Sequence, residues 1–343
     1  MNKKSRRACI TGAFGQDGSY LSEHLLREGY EVLGLVHADD VDAQGAISQL
    51  LTTHPHFTLC VGNLSDLNSF ASKLDAFAPD EIYNLAAISD LKTAREHPER
   101  TMEVNFHAVR NLVEHSTRIN PEVRIFQALS SRILTPDREG VIREDSVLME
   151  PQNAYDKAKR VSYEEVVLPY RDKGFFIASG FLCNHESPRR DERFVTGKIA
   201  QSVARIAVGK EDVLYVGNVG AKRDWSYAGD FARAMHAILS LELPDDFVIG
   251  SGELHTVQNF IDAAFRVTDI KLTWEGSGVD TKAYDTKGNL RVAVDERFYQ
   301  PDDNPVVSDT TKIREITGWS PKVSFEELVT WMVESELEKL RYS

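Results

Sequence analysis

A short apolar run, Arg7–Thr11, breaks into Thr11-Gly12-Ala13-Phe14-Gly15-Gln16-Asp17-Gly18 and then into an amphipathic segment, Ser19–Glu28. A strand, a glycine turn and a helix in that order leave few architectures open. The same alternation continues. Glu31–Val36, Phe57–Val61, Glu81–Leu85 and Val123–Leu129 read as further strands, and Pro98–Ile119 reads as a long helix. This rhythm predicts an α/β protein built on a Rossmann-like, doubly wound parallel sheet. Such sheets bind ligands beyond the carboxyl ends of their strands.

After about residue 180 the rhythm loosens. Asn184–Arg193 is polar and rich in arginine, and Gly217–Trp225 is similar. Residues 269–308 are irregular. Asp309 reads as the N-cap of a helix near Thr311, and Phe325–Leu340 reads as a closing helix. The expected organisation is a dinucleotide-binding domain from 1–180 plus about 222–250. A smaller, partly interleaved α/β substrate-binding domain takes about 181–221 plus 251–343.

The 343 residues carry 53 acidic and 40 basic side chains, a net charge of −13. That excess disfavours a nucleic-acid partner. No apolar run approaches the length of a membrane span, and the basic N-terminus flows into a strand rather than a signal peptide. Cys9, Cys60 and Cys183 are scattered without metal-ligand spacing. They read as reduced thiols of a cytoplasmic protein. His54-Pro55-His56 reads as a surface loop, and no metal site is expected.

The glycine turn brings backbone N–H groups close to a pyrophosphate, with the partial positive charge of the helix N-terminus behind them. Gly12, Gly15 and Gly18 permit the approach, and Gln16 and Asp17 lie between them. Strand two runs into His37-Ala38-Asp39-Asp40. Asp39 lies about 21 residues past Gly18, close to the spacing of an acid that meets the adenosine ribose. An acidic group there repels a 2′-phosphate, so NAD is favoured over NADP. Asp39 and Asp40 are equally consistent with solvated loop charges. Asn63 and Leu64 end strand three and flank the adenine in this reading. Leu85, Ala86 and Ala87 end strand four, where small residues let the chain pass close to a cofactor.

Tyr155 and Lys159 are four apart and share a helix face. An ammonium beside a phenol favours the phenolate and lowers its pKa. The phenolate takes a proton from a sugar hydroxyl while hydride leaves the carbon. Ser130, at the end of strand five, is placed to bond the same oxygen. A Tyr-x-x-x-Lys pair alone is common by chance; the serine 25 residues upstream is what gives it weight.

From these residues the chain resembles the extended short-chain dehydrogenase/reductase family, and within it the GDP-mannose 4,6-dehydratases, nearly end to end. The resemblance rests on Thr11–Leu21, Glu81–Ala87, Tyr155–Lys159, Asn184-His-Glu-Ser-Pro-Arg-Arg190, Phe194-Val-Thr196, Lys198-Ile199, Arg223-Asp-Trp225, Asp246–Gly250 and Gly318-Trp319. It implies a GDP-hexose substrate whose nucleotide is held by Asn184, Arg190, Lys198, Arg205 and Arg223. It also implies a dimer, with a tetramer left open.

The chain departs from that family at the chemical centre. Strand five ends Ser130-Ser131-Arg132, and Arg132 occupies the position of the family's glutamate. In the family reaction C4 is oxidised, the glutamate removes the C5 proton as water leaves from C6, and C6 is then reduced. Arginine stays protonated and cannot be that base. His37-Ala38 replaces the paired arginines that hold a 2′-phosphate. Gln-Ser-His becomes Ile88-Ser89-Asp90, which keeps Ser89 as a substrate contact and offers Asp90 as a substitute carboxylate. Gln300-Pro301-Asp302-Asp303 stands where an Arg-Pro and a glutamate are expected, leaving Asp303 as the contact there. Three readings follow: a dehydratase with a relocated base, an NAD-dependent C4 oxidoreductase or epimerase that does not dehydrate, and a non-catalytic nucleotide-sugar sensor. In the second, Arg132 meets an altered C6 substituent.

Overall fold

The computed structural model describes residues 5–43, 45–301 and 305–341. Its centre is a seven-stranded sheet of β1 (Arg7–Thr11), β2 (Glu31–Val36), β3 (Phe57–Val61), β4 (Glu81–Asn84), β5 (Arg124–Ser130), β6 (Ile177–Leu182) and β7 (Asp246–Ile249). The order is β7-β6-β5-β4-β1-β2-β3, and every pairing is parallel. The inner strands are covered on both faces, and all six residues of β6 are buried, whereas the edge strand β3 leaves Thr58 and Val61 exposed. Chain order reverses beside β1, which pairs with β2 on one side and β4 on the other. The turns after β1, β2, β4 and β5 therefore meet at one edge, the crevice that open α/β sheets use for ligands.

The helix after β1 starts earlier than the sequence suggested, at Gln16, and runs to Arg27. The long helix expected over 98–119 contains a five-residue π segment, Glu103–His107, between Pro98–Met102 and Ala108–Ile119. Asp309 is not the N-cap of Thr311–Thr317. Thr310 holds that position, although Asp309 Oδ1 accepts from the Thr311 N–H at 3.0 Å.

A second apolar core gathers Ile199, Val203, Trp225, Phe260, Ala283, Val292, Phe325 and Val329. It lies among the helices Val195–Ala207, Val257–Val267 and Phe325–Arg341 and a four-stranded sheet, Thr273–Glu275, Lys282–Tyr284, Leu290–Val294 and Leu214–Val216. Ile313 and Trp319 instead join the core of the large sheet. Residues 311–319 thus pack away from the second core, although they lie inside the 251–343 segment. The strand Asn184–Glu186 pairs in parallel with Trp225–Tyr227. Asp224, 2% exposed, accepts from Ser251, Gly252 and Ser308. One buried carboxylate so ties three distant segments together.

Near the amino ends of β2 and β4 a polar chain runs inward. His24 Nε2 lies 2.9 Å from His236 Nδ1, His236 Nε2 lies 3.1 Å from Tyr30 Oη, and Tyr30 donates to Glu81 at 3.2 Å. Burial and then the charge of His236 push the His24 pKa down to about 4, and burial lowers His236. A lowered histidine pKa means the unfolded chain binds the proton more readily. The network's stabilisation is therefore complete above the unfolded value of about 6.5 and is lost as pH falls toward about 4. The melting temperature should fall across that window, and His24→Gln should flatten the fall. Identical pH profiles for the two proteins would contradict the assignment.

Candidate active site

The crevice at the carboxyl edge holds a cavity of about 960 Å³. Gly12, Gly15, Gln16, Asp17, Gly18, His37, Asp39, Asn63, Leu64, Leu85, Ala86 and Ala87 all line it, as do Ser89 and Asp90. Gly12 has φ +69°, and a Cβ there would meet the Ala86 backbone at 3.1 Å. A Cβ on Gly18 would fall 2.1 Å from Gly12 O. The turn thus closes only with glycine at both positions. Gly15 supplies no side-chain cap to the following helix, so its first N–H groups remain available to an anion. Thr11 Oγ1 accepts from the N–H groups of Leu85 and Ala86 at 3.0 Å each and donates to Asn84. That bond set presses the end of β4 against the glycine turn. The residues present fit a dinucleotide.

Asp17 is more than a turn residue. His185 Nε2 lies 2.9 Å from Asp17 Oδ2, and His185 Nδ1 lies 2.7 Å from Cys183 O. His185 also stacks on Phe231, with centroids 4.3 Å apart. Burial raises the Asp17 carboxyl, but the His185 charge and hydrogen bond outweigh it and leave the pKa lowered. Gln16 Nε2 donates to His185 O, and Ser187 donates to Gln16. The glycine turn and the Asn184–Arg190 stretch are therefore locked together. Sequence reading singled out Asp17 but missed His185 as its partner; they are 168 residues apart.

At the end of β5, Ser130, Tyr155 and Lys159 are all buried, at 6%, 9% and 5% exposure. Asn153 caps the helix that carries Tyr155 and Lys159, accepting from the Asp156 N–H at 3.0 Å. Lys159 Nζ donates to Ala128 O at 2.8 Å and stands 5.8 Å from the Tyr155 ring centre. The lowered tyrosine pKa expected from the lysine does not appear. Burial raises the phenol, and a Ser130 hydrogen bond and the Arg132 charge only partly oppose it. Burial likewise lowers Lys159 to about 8. The charge of Asp17 acts on both groups, so the glycine turn and the Tyr155–Lys159 pair share one electrostatic environment. Tyr155 at rest is a neutral phenol.

Arg132 is tethered. Its Nε donates to Asp156 Oδ1 at 3.0 Å and its Nη2 to Asp156 Oδ2 at 3.4 Å. Asp156 is 3% exposed and also accepts from Asn153 Nδ2 at 2.7 Å. Sequence reading missed this carboxylate, although it directly follows Tyr155. Asp90 does not serve as a free carboxylate. It caps Leu91–Glu96 and accepts from the Lys92 and Thr93 N–H groups and the Thr93 hydroxyl. Burial raises its pKa, but the Thr93 bonds outweigh this and lower it. A carboxylate so satisfied is a weak base.

The proposed nucleotide contacts divide. Lys198, Arg205 and Arg223 line a second cavity of about 820 Å³ with Phe298 and Gln300. Lys198 Nζ lies 4.5 Å from the Phe298 ring centre. Arg190 lines the first cavity instead, with its Nε 2.8 Å from Glu186 and its guanidinium 3.5 Å above the Phe194 ring. Asn184 is exposed on its short strand and lines neither cavity. Asp303 lies outside the described residues. Asp39, 85% exposed at its side chain, sits 3.3 Å from His37 Nδ1.

A family model described as GDP-mannose 4,6 dehydratase matches residues 9–332. The chain is 36% identical over 345 residues to GDP-mannose 4,6 dehydratase 2 of Caenorhabditis elegans, across 98% of this chain and 90% of that protein. It is 34% identical over 351 residues to GDP-mannose 4,6 dehydratase of Homo sapiens, across 99% and 94%. Among solved structures, dTDP-glucose 4,6-dehydratase from Bacillus anthracis in complex with NAD matches with a TM-score of 0.78 at 16% identity, over 98% of both chains. RMD from Pseudomonas aeruginosa complexed with NADPH matches with a TM-score of 0.76 at 18% identity, over 97% and 100%. These two likenesses are of fold.

Proposed function

The chain belongs to the GDP-mannose 4,6-dehydratase family, and from that premise we propose that it acts on a GDP-hexose at C4 in a dehydratase-type reaction. The observation that carries this reading is the buried Ser130–Tyr155–Lys159 group; it does not itself line the dinucleotide-fitting cavity, but the charge of Asp17, which does, acts on both Tyr155 and Lys159. Bound in that cavity, a nicotinamide cofactor supplies the acceptor for hydride from C4. Tyr155 takes the O4 proton, Ser130 holds the same oxygen, and Lys159 stabilises the phenolate that Tyr155 must become. Lys198, Arg205 and Arg223 suit the diphosphate as charge and guanidinium forks. Ser89 is a candidate sugar contact on the first cavity.

Arg132 supports a second reading of the later steps. Its tie to Asp156 makes the positive charge at the base position a built feature. In this reading the enzyme oxidises C4 and returns the hydride there without expelling water. Purified protein given NAD and GDP-mannose separates the two. Loss of 18 Da identifies dehydration; an unchanged mass with an altered sugar stereocentre identifies C4 chemistry. No turnover and no binding across a GDP-sugar panel would reject both.

NAD is the cofactor we favour. Asp39 and Asp40 line the cavity just past β2, where a 2′-phosphate would meet their charge. NAD should bind at least about tenfold more tightly than NADP, a difference of about 1.4 kcal/mol. Equal affinities by calorimetry would contradict this. We further assign a dimer through the 98–119 helical segment and the helix of Tyr155, to be read by light scattering after size exclusion. A reducing, cytoplasmic setting fits three buried free cysteines, and fractionation of cells expressing the chain reads it.

A further inference from the structure

We propose that Arg132 recognises a carboxylate at C6 of the sugar, so that the substrate class is a GDP-hexuronate. This rests on the reading in which C4 chemistry proceeds without dehydration.

Arginine has five N–H groups, arranged so that two different edges of the guanidinium can each grip a carboxylate. In Arg132, Asp156 takes the Nε/Nη2 edge, at 3.0 and 3.4 Å. That carboxylate is buried and braced by Asn153, so it orients the arginine as well as compensating its charge. The backbone N–H of Arg132 also donates to Ser130 Oγ at 3.3 Å, which fixes the arginine to the catalytic serine. The Nη1/Nη2 edge remains. Nη1 makes no hydrogen bond among the described residues, and the side chain is 40% exposed. Arg132 stands two residues past Ser130, and its side-chain partner among the described residues is Asp156, the residue that follows Tyr155, so the chain places it next to both members of the catalytic pair. A second edge of the guanidinium is therefore left for a ligand, on a residue tied to Ser130 and to Asp156.

A C6 hydroxyl offers one neutral oxygen to that fork. A C6 carboxylate offers two, with the charge and spacing the fork matches. The chemistry is also coherent. With a carboxylate at C6 there is no hydroxyl to expel and no need for a base at C5. Tyr155 would take the O4 proton while a bound nicotinamide would supply the acceptor for the C4 hydride; the hydride would then return to C4 and the proton to O4. No C–O or C–C bond breaks. Pairing with the guanidinium stabilises the carboxylate anion and opposes loss of carbon dioxide from the 4-keto acid.

The test is calorimetry on the full chain with GDP-mannose, GDP-mannuronate and GDP alone. GDP-mannuronate should bind at least about tenfold more tightly than GDP-mannose, and Arg132→Gln should erase the preference without weakening GDP. Because Arg132→Gln leaves Asp156 buried without its cation, Arg132→Gln/Asp156→Asn serves as the folded control and should lose the preference equally. A preference that survives in both variants, or none in the unmodified chain, overturns the inference. If GDP-mannose is then processed at C4 with water retained, only the C6 assignment falls. If the unmodified chain removes water from GDP-mannose, the underlying reading falls with it.

Discussion

Tyr155→Phe should lower the rate of C4 oxidation by about a thousandfold, within the range of positioned acid–base groups, and leave GDP-sugar affinity within about twofold. The ring stays, so packing is preserved; only the proton-accepting oxygen is lost. The effect should be large because no other group in the site can take its place. Lys159 is already engaged with Ala128 O, and Ser130 is a poor base. The tyrosine at rest is protonated, since burial raises its pKa. Its conversion to phenolate must be driven by neighbours and by bound ligand charge, which makes the lysine more than a spectator. Formation of reduced nicotinamide in a single turnover, read by its absorbance, checks the rate, and calorimetry checks the binding. A variant that keeps more than about a tenth of the rate would remove Tyr155 from the chemistry.

Arg132→Glu should give a less stable protein and an uninformative enzyme unless Asp156 is changed with it. The single substitution strips a carboxylate of its cation and sets a second carboxyl beside it. Breaking a buried pair costs about 3–5 kcal/mol; the 40% exposure of Arg132 lowers our expectation to about 2 kcal/mol. Two adjacent carboxyls also raise each other's pKa, so one holds a proton. Arg132→Glu/Asp156→Asn removes the conflict. The amide introduced at position 156 can still bond Asn153, and the carboxyl introduced at position 132 is free to ionise. If the site otherwise follows the dehydratase pattern, the double variant should produce a GDP-sugar lighter than GDP-mannose by one water. Melting temperature and product mass together decide it. A stable double variant that still leaves water in place would show that more than this one position blocks elimination.

Much of the site could be read from the chain because its signals are local. Gly12 and Gly18 are required within one turn, and Tyr155 and Lys159 lie one helical turn apart. The cofactor-lining residues also follow from strand ends, since all parallel strands deliver their carboxyl ends to one edge. Other features had no local signal. Asp90 looked like a spare carboxylate until its role as a helix cap used both oxygens. Arg190 likewise had no local signal for its surroundings: it pairs with Glu186, lies over the Phe194 ring and lines the first cavity. The lowered phenol pKa expected from helix spacing was reversed by desolvation, which depends on everything packed around the ring.

Periodicity and glycine placement alone predicted the parallel sheet and the glycine turn, and the sequence itself set Arg132 two residues past Ser130 at the end of strand five. These signals act over a few residues, where backbone sterics leave little choice. Only the tertiary structure decided that Arg132 is gripped by Asp156 and that His185 holds Asp17. It also decided that Tyr155 begins as a neutral phenol. Those outcomes depend on which charges burial brings together and how much water it removes from them.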